Sequence, residues 1–220
     1  MRKNEEKVKK EIDIIDKNIS FKIITIGDCG VGKTSIFRRF IYNTFDPNCL
    51  STVGLNILIK DVELNDGTII QLKLSDTAGQ ERFRSLSKTY FKNADAVLFV
   101  FAHNDLNSFN NIQKWMEIFD HNSVSYDDIP IYLLGNKKDL KKTINDELIE
   151  DFVKNNNCRY KSISAFLNEN DEITEIFKEI SNLLYEKYKQ KNIRNNSQYS
   201  MKLISLKTIR KEKKKLICCS

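Results

Sequence analysis

The sequence predicts an α/β fold of three layers, in which a six-stranded, mostly parallel sheet lies between helices. Two observations lead to this prediction. Short apolar runs alternate with segments that carry apolar residues at helical spacing. One pair of neighbouring strand-like runs is joined by Asp66-Gly67, a strong signal for a tight hairpin. The alternation predicts parallel strands connected through about five helices, and the hairpin adds one antiparallel strand.

Each element has its own signal. The first strand, 21–26, is a short apolar run, and the helix that follows, 33–42, carries apolar residues at helical intervals. Further strands are predicted at 56–64, 68–75, 94–101, 129–135 and 159–162, and further helices around 109–119, 148–153 and 173–184. Ligands of such sheets bind beyond the carboxyl ends of the strands, so the motifs that follow these strands are expected to meet in one site.

Length, charge and composition predict one folded domain with two tails. Residues 1–18 form a charged extension, 19–190 the domain, and 191–220 a flexible basic segment with nine of the 36 Lys and Arg residues and one acid. The rest of the chain is close to neutral, so nucleic acid is not an expected partner. No signal peptide or apolar membrane span is apparent, and five cysteines without metal-ligand spacing favour a reducing compartment. We expect His103 and His121 to be structural or exposed, and Trp115 to pack rather than bind a ligand.

A phosphate-binding motif follows the first strand. It has the pattern Gly, four residues, Gly-Lys-Thr, and reads Gly27-Asp28-Cys29-Gly30-Val31-Gly32-Lys33-Thr34, with Ser35 next to it. Glycines allow backbone N–H groups to converge on an anion, and the start of a helix favours negative charge. Lys33 is expected to reach the β- and γ-phosphates and the Thr34 hydroxyl to bind Mg²⁺. The alternative is a chance glycine turn, which the strand before it and the helix after it disfavour.

Two further motifs follow later strands. After the third strand, Asp76 is placed to hold the Mg²⁺ shell through water, Gly79 to bring its N–H near a γ-phosphate, and Gln80 to orient an attacking water. The alternative here is an ordinary polar loop.

After the fifth strand come Asn136, Lys137 and Asp139. Guanine presents N1–H and a 2-amino group side by side, and one carboxylate accepts from both, so Asp139 favours GTP over ATP. The Lys137 stem is expected to cover one face of the base and Phe45 its edge or other face.

These motifs together resemble the Ras superfamily of small GTPases. GDCGVGKT, the Thr52 segment, DTAGQE and NKKD occur in the family's order and spacing, and residues 81–94 and 107–111 are similar to the Rab family. The resemblance covers about 20–190 and implies a P-loop NTPase G domain that binds GTP or GDP with Mg²⁺. It implies that Thr52 binds Mg²⁺ and the γ-phosphate, and that Ser164 and Ala165 form the last guanine-contacting turn. Segments of about 43–57 and 77–92 would be the two switches.

The resemblance also implies a function. The protein would hydrolyse GTP slowly with Gln80 as catalytic residue, and act as a monomeric, membrane-anchored switch in vesicle trafficking, on the cytoplasmic face of intracellular membranes and cycling with the cytosol. Implied partners are an exchange factor, a GTPase-activating protein, a prenylation escort, a GDP-dissociation inhibitor and effectors. A docking module that binds guanine nucleotide with negligible hydrolysis is the alternative.

The basic segment ends in a cysteine pair. Cys218 and Cys219 resemble the doubly prenylated ends of Rab proteins, and the basic run 210–215 would add attraction to an anionic leaflet. The alternatives are a solvated tail with incidental cysteines, or a nuclear-localisation or RNA-binding tail.

The chain departs from the family pattern at several positions. Phe166 stands where a lysine usually follows the alanine of the last turn, which changes packing near Lys137. Ser75 and Ile57 replace aromatic residues at the border of the switches, so effectors cannot be carried over. Cys29 and Cys49 are variations that remove no ligand.

Overall fold

The computed structural model describes residues 19–47, 55–77, 88–122 and 129–193. Contacts divide the chain into two compact units, Met1–Ser181 and Asn182–Ser220. Of the predicted features, the extension 1–18 and most of the basic segment lie outside the described residues. So do five predicted site residues, namely Thr52, Gly79, Gln80, Cys218 and Cys219. The predicted domain limits at 18 and 190 stay predictions.

The first unit is built on one six-stranded sheet. In chain order the strands are β1 (Ser20–Ile26), β2 (Leu55–Glu63), β3 (Ile69–Thr77), β4 (Ala96–Ala102), β5 (Ile131–Asn136) and β6 (Arg159–Ser162). Their spatial order is β2-β3-β1-β4-β5-β6, and every neighbouring pair is parallel except β2 and β3. The predicted sheet of five parallel strands and one antiparallel strand is therefore confirmed.

The antiparallel pair turns at the predicted dipeptide. Gly67 has φ of 82°, and its N–H donates to the carbonyl of Leu64 at 3.0 Å. The Asp66 carboxylate accepts from the Thr68 N–H at 3.0 Å, which closes the turn. The hairpin forms here because glycine reaches a left-handed conformation without strain and aspartate bonds to the backbone two residues on.

Helices cover both faces of the sheet. They are α1 (Lys33–Tyr42), α2 (Lys88–Phe91), α3 (Leu106–Asn110), α4 (Ile112–Asn122), α5 (Asp146–Asn155) and the helical residues 172–181 that end the first unit. On one face, α3, α4 and α5 contribute side chains to a core with β4 and β5. On the other, Phe40 of α1 stacks on Phe177, with ring centroids 4.0 Å apart.

The sheet centre is apolar because helices lie on both sides of it. Every residue of β4 is buried, and Phe99 and Phe101 have no exposed surface. Burial of one such side chain is worth about 1.5–3 kcal/mol, so the continuous apolar run that predicted this strand also fixes its central place.

The predicted helix over 109–119 is two helices. Asp105 caps α3 by accepting from the N–H groups of Asn107 and Ser108. The chain leaves regular helix at Asn111, and α4 begins at the next residue. The side chain of Asn111 bonds to a distant loop, which is described below, and this contact favours the break.

The second unit is described for residues 182–193, which are helical. Tyr185 and Tyr188 stack with centroids 6.5 Å apart, and Lys189 pairs with Glu186 at 2.5 Å. Within the residues that the structure describes, no helix is long and apolar enough to cross a bilayer.

Candidate functional site

The glycine-rich loop leaves β1 in a path that requires its glycines. Gly27, Gly30 and Gly32 have φ of 151°, 75° and 97°. A Cβ on Gly27 would lie 2.1 Å from the carbonyl oxygen of Val100, and one on Gly32 would lie 2.3 Å from Nδ2 of Asn136. Two of the three glycines therefore allow the loop to pass directly against β4 and the end of β5.

The loop leaves the first turn of α1 without a side-chain cap. Gly32 is the N-cap and has no side chain, so no side-chain oxygen caps the N–H groups of that turn. The ammonium of Lys33 is buried and donates to the carbonyls of Gly27 at 2.7 Å and Asp28 at 2.6 Å. A buried cation inside a turn of backbone N–H groups is a site for phosphate oxygens. Of the remaining predicted residues, Val31 is buried, Cys29 is exposed, and Thr34 and Ser35 are half-buried.

Two of the predicted magnesium residues lie together. The Thr34 hydroxyl donates to Oδ2 of Asp76 at 2.7 Å, and Asp76 is only 1% exposed. A hydroxyl and a buried carboxylate are hard oxygen ligands, which suit Mg²⁺. Asp76 lies in β3 at its carboxyl end, and Thr34 follows the carboxyl end of β1, the parallel neighbour of β3.

The carboxylate of Asp28 faces away from the phosphate side of the loop. It accepts from the indole Nε1 of Trp115 at 2.7 Å and from Nδ2 of Asn111 at 2.7 Å. The sequence prediction missed both partners, because Trp115 was assigned to packing alone. One signal was available: an acid inside an anion-binding loop repels phosphate unless its charge is engaged elsewhere.

Asn136, at the end of β5, joins two loops. Its Nδ2 donates to the carbonyl of Val31 at 2.8 Å, and its Oδ1 accepts from the N–H of Ala165 at 3.0 Å. The side chain is 2% exposed. One buried amide thus connects the phosphate loop with the last predicted base-contacting turn.

The residues predicted to read the base also meet. The Ser164 hydroxyl makes a short hydrogen bond to Oδ1 of Asp139 and accepts from the N–H of Leu167 at 3.0 Å. Asp139 is exposed and Ser164 is fully buried, so the serine holds one oxygen of a carboxylate that opens to solvent. Lys137, between these motifs, is half-buried with φ of 62°.

Two charged side chains that the sequence analysis did not select support this turn. Glu172 accepts from the N–H of Ser164 at 2.8 Å and from Nζ of Lys138 at 2.6 Å. The hydrogen bond that Lys138 donates to Glu172 raises the pKa of Lys138. Arg39, in the last turn of α1, donates to the carbonyl of Ala165 at 3.0 Å. No spacing in the sequence signals these contacts, which join residues far apart in the chain.

His103 is buried behind the same edge of the sheet. The ring atom Nε2 lies 2.8 Å from the Ser162 hydroxyl. The backbone N–H of His103 donates to the carbonyl of Asn136 at 2.8 Å. Burial, followed by the nearby charge of Lys142, lowers the pKa of His103 to about 4. The neutral ring is therefore structural, in keeping with the expectation, while His121 is exposed.

Comparisons with known proteins agree with this geometry. The family model described as Ras family matches residues 22–186. The chain is 32% identical to Ras-related protein SEC4 of Candida albicans, over 78% of this chain and 80% of that protein. It is 34% identical to Ras-related protein Rab-30 of Homo sapiens, over 82% and 88%. It is 35% identical to GTP-binding protein ypt1 of Schizosaccharomyces pombe, over 66% and 71%.

Proposed function

The chain belongs to the Ras family of small GTPases, in its Rab branch, and from this premise we propose that it is a membrane-anchored switch in vesicle trafficking. As a member of the family it binds GTP and GDP and hydrolyses GTP. The observation that carries the nucleotide-binding part of the proposal is the buried amide of Asn136, which bonds to the phosphate loop and to the turn at Ala165. One side chain thereby sets the distance between a phosphate site and a base site.

The base is read by Asp139. Its carboxylate accepts the N1–H and 2-amino groups of guanine, while Ser164 holds the carboxylate from behind. The N–H of Ala165 is shared between Oδ1 of Asn136 and the oxygen of the base, Phe45 covers the edge of the base, and Lys137 covers a face. Adenine would leave the carboxylate unpaired, which explains the preference for guanine.

The phosphates and the metal would bind at the other end of the nucleotide site. The N–H groups of residues 28–35 and the Lys33 ammonium surround the β- and γ-phosphates. Thr34 and Thr52 would hold Mg²⁺, and Asp76 would hold it through water. When bound, Mg²⁺ neutralises charge on the phosphate oxygens. The Thr34–Asp76 contact of 2.7 Å supports this assignment, because it places a hydroxyl and a carboxylate within reach of one ion.

Hydrolysis depends on positioning of water. Gln80 orients the attacking water, since an amide both donates and accepts, and the N–H of Gly79 binds the γ-phosphate. The intrinsic rate is slow, and a GTPase-activating protein adds about 10³–10⁵ in rate. Exchange factors and effectors act on the segments 43–57 and 77–92, which order around GTP.

Single-turnover hydrolysis of γ-labelled GTP tests this role. The protein should release phosphate slowly alone and faster with a cell extract that supplies activators, and Gln80→Leu should slow release while GTP affinity stays nearly intact. Absence of phosphate release under both conditions would favour the docking module over the switch. Equal rates for the variant would remove Gln80 from catalysis.

The basic segment attaches the protein to membranes. Lipid chains on Cys218 and Cys219, aided by the basic run 210–215, give stable binding to the cytoplasmic face of intracellular membranes. A prenylation escort and a GDP-dissociation inhibitor return the protein through the cytosol. Replacing both cysteines by serine should move a tagged protein to the soluble fraction, with replacement of Cys158, which is buried in the core, as control. Unchanged membrane association would contradict the anchor.

A further inference from the structure

Two phenylalanines meet at the base end of the site. The ring centroids of Phe45 and Phe166 are 5.2 Å apart, with an angle of 66° between the ring planes. Phe166 is 56% exposed, and Phe45 is half-buried. Edge contacts of this kind are attractive beyond the apolar area that they bury, and here the pair keeps an open side toward solvent.

The backbone that carries Phe166 is fixed to the helix that leads to Phe45. The guanidinium of Arg39 donates to the carbonyl of Phe166 at 2.9 Å and to that of Ala165 at 3.0 Å. The same group donates to the carbonyl of Asn43 at 2.9 Å, at the end of α1. Asn43 has φ of 51° and directs the chain out of the helix toward Phe45. One arginine therefore sets the relative positions of both aromatic residues.

We propose that Phe166 is a positioning residue for guanine nucleotide: its contact with the ring of Phe45 holds that ring in place against the base and slows nucleotide release. The inference rests on the proposed function, since it takes Ser164, Ala165 and Phe45 as the base site. A ring has only two side-chain torsions and loses little freedom on contact, whereas the lysine usual at this position has four. The substitution gives this chain a stiffer support for Phe45.

Release of a fluorescent GDP analogue from the full-length, Mg²⁺-bound protein tests the proposal. Phe166→Leu should speed release by about 3- to 10-fold, the range of an aromatic pair contact, and Phe166→Tyr should stay within about twofold of the natural protein. Leu167→Ala is the matched control, because Leu167 is 48% exposed in the same turn. Since Phe166 is also exposed, its variants should have the same unfolding temperature as the natural protein.

A double-mutant cycle shows whether Phe166 acts through Phe45. If it does, Phe45→Leu combined with Phe166→Leu should release the analogue at nearly the rate of Phe45→Leu alone. Additive effects, or equal release from the natural protein and Phe166→Leu, would overturn the inference while the proposed function stands. Failure of the natural protein to retain the analogue at all would instead overturn both.

Discussion

The phosphate end and the base end of the site are held by different means. At the phosphate end, one carboxylate connects the loop to helix α4 through the indole of Trp115, and to the break before α4 through the amide of Asn111. At the base end, the turn 164–167 receives separate contacts from Arg39 and Glu172. The link between the phosphate loop and the helical layer rests on the one side chain of Asp28, beside the bond from Asn136 to Val31, whereas the base end is supported from several directions.

The difference follows from the charge of the ligand. An acid near phosphate is unfavourable unless its charge is satisfied elsewhere, and the two donors at 2.7 Å supply that satisfaction for Asp28. The base carries no charge, so its turn can be supported by charged side chains from several directions. A single change should therefore loosen the phosphate end more than a supporting change loosens the base end.

The largest effect is expected at Asp139, which we propose reads the base. Asp139→Asn should lower the preference for GDP over other purine nucleotides by about 10³-fold or more, because guanine's two donors lose their common acceptor. Xanthosine diphosphate, which carries an acceptor oxygen in place of the amino group, should gain affinity. Competition binding measures both. If the variant folds and keeps its selectivity, Asp139 does not read the base.

Asp28→Ala should be the most damaging change among the supporting contacts. It leaves Trp115 and Asn111 without their carboxylate acceptor, and hydrogen bonds to a charged group are worth about 1.5–3 kcal/mol each. We expect the free energy of unfolding to fall by roughly 3 kcal/mol in denaturant titration. Trp115 is the only tryptophan, so its fluorescence reports the change directly.

Trp115→Phe is the companion variant for Asp28. It removes one of the two donors and keeps most of the ring. It should lower the free energy of unfolding by about half as much as Asp28→Ala. Equal stability of the natural protein and Asp28→Ala would show that the loop is not held by this carboxylate.

His103 should make the base end sensitive to acid. Its pKa is about 4 in the folded protein and about 6.5 in an unfolded chain, so the unfolded state binds more protons between these values. The contribution of the neutral His103 to stability is then fully present above pH 6.5. It falls by roughly 1–3 kcal/mol as pH falls toward 4. His103→Gln should reduce this slope, and His121→Gln, at an exposed position, should not. Identical slopes for His103→Gln and the natural protein would exclude the buried ring as the cause.

Glu172→Gln should have the smallest effect. Glutamine still accepts from the Ser164 N–H but loses the charge that pairs with Lys138, and partly exposed pairs are worth only about 0.5–1 kcal/mol. GDP release should rise by no more than about threefold. Glu175→Gln on the same helix, in an exposed pair with Lys178, is the control. A fall in the free energy of unfolding comparable with that of Asp28→Ala would contradict the distributed support proposed for the base end.

The sequence was sufficient for the fold because its signals are local. Strand β4 was predicted from its own apolar run, and the hairpin from two residues. The base motif was equally readable, since Asn136 and Asp139 are close in the chain. Contacts such as Trp115 with Asp28, 87 residues apart, follow from how the layers pack, and no local pattern encodes them.

The break at Asn111 was missed for the same reason. Its apolar neighbours Phe109 and Ile112 fit one helical stripe, and the bond from Asn111 to the distant carboxylate of Asp28 has no signal in that stripe. The Phe45–Phe166 contact is a third case, because the sequence shows the unusual Phe166 but not the ring that it meets.

The amide of Asn136 has one further consequence. It donates to Val31 on one side and accepts from Ala165 on the other, so it has a single workable orientation, and a half-turn would break both bonds. A substitution that turns or removes this amide therefore disturbs the phosphate loop and the turn at Ala165 together. The spacing between these two loops is set by one side chain, so damage at Asn136 cannot be confined to one of them.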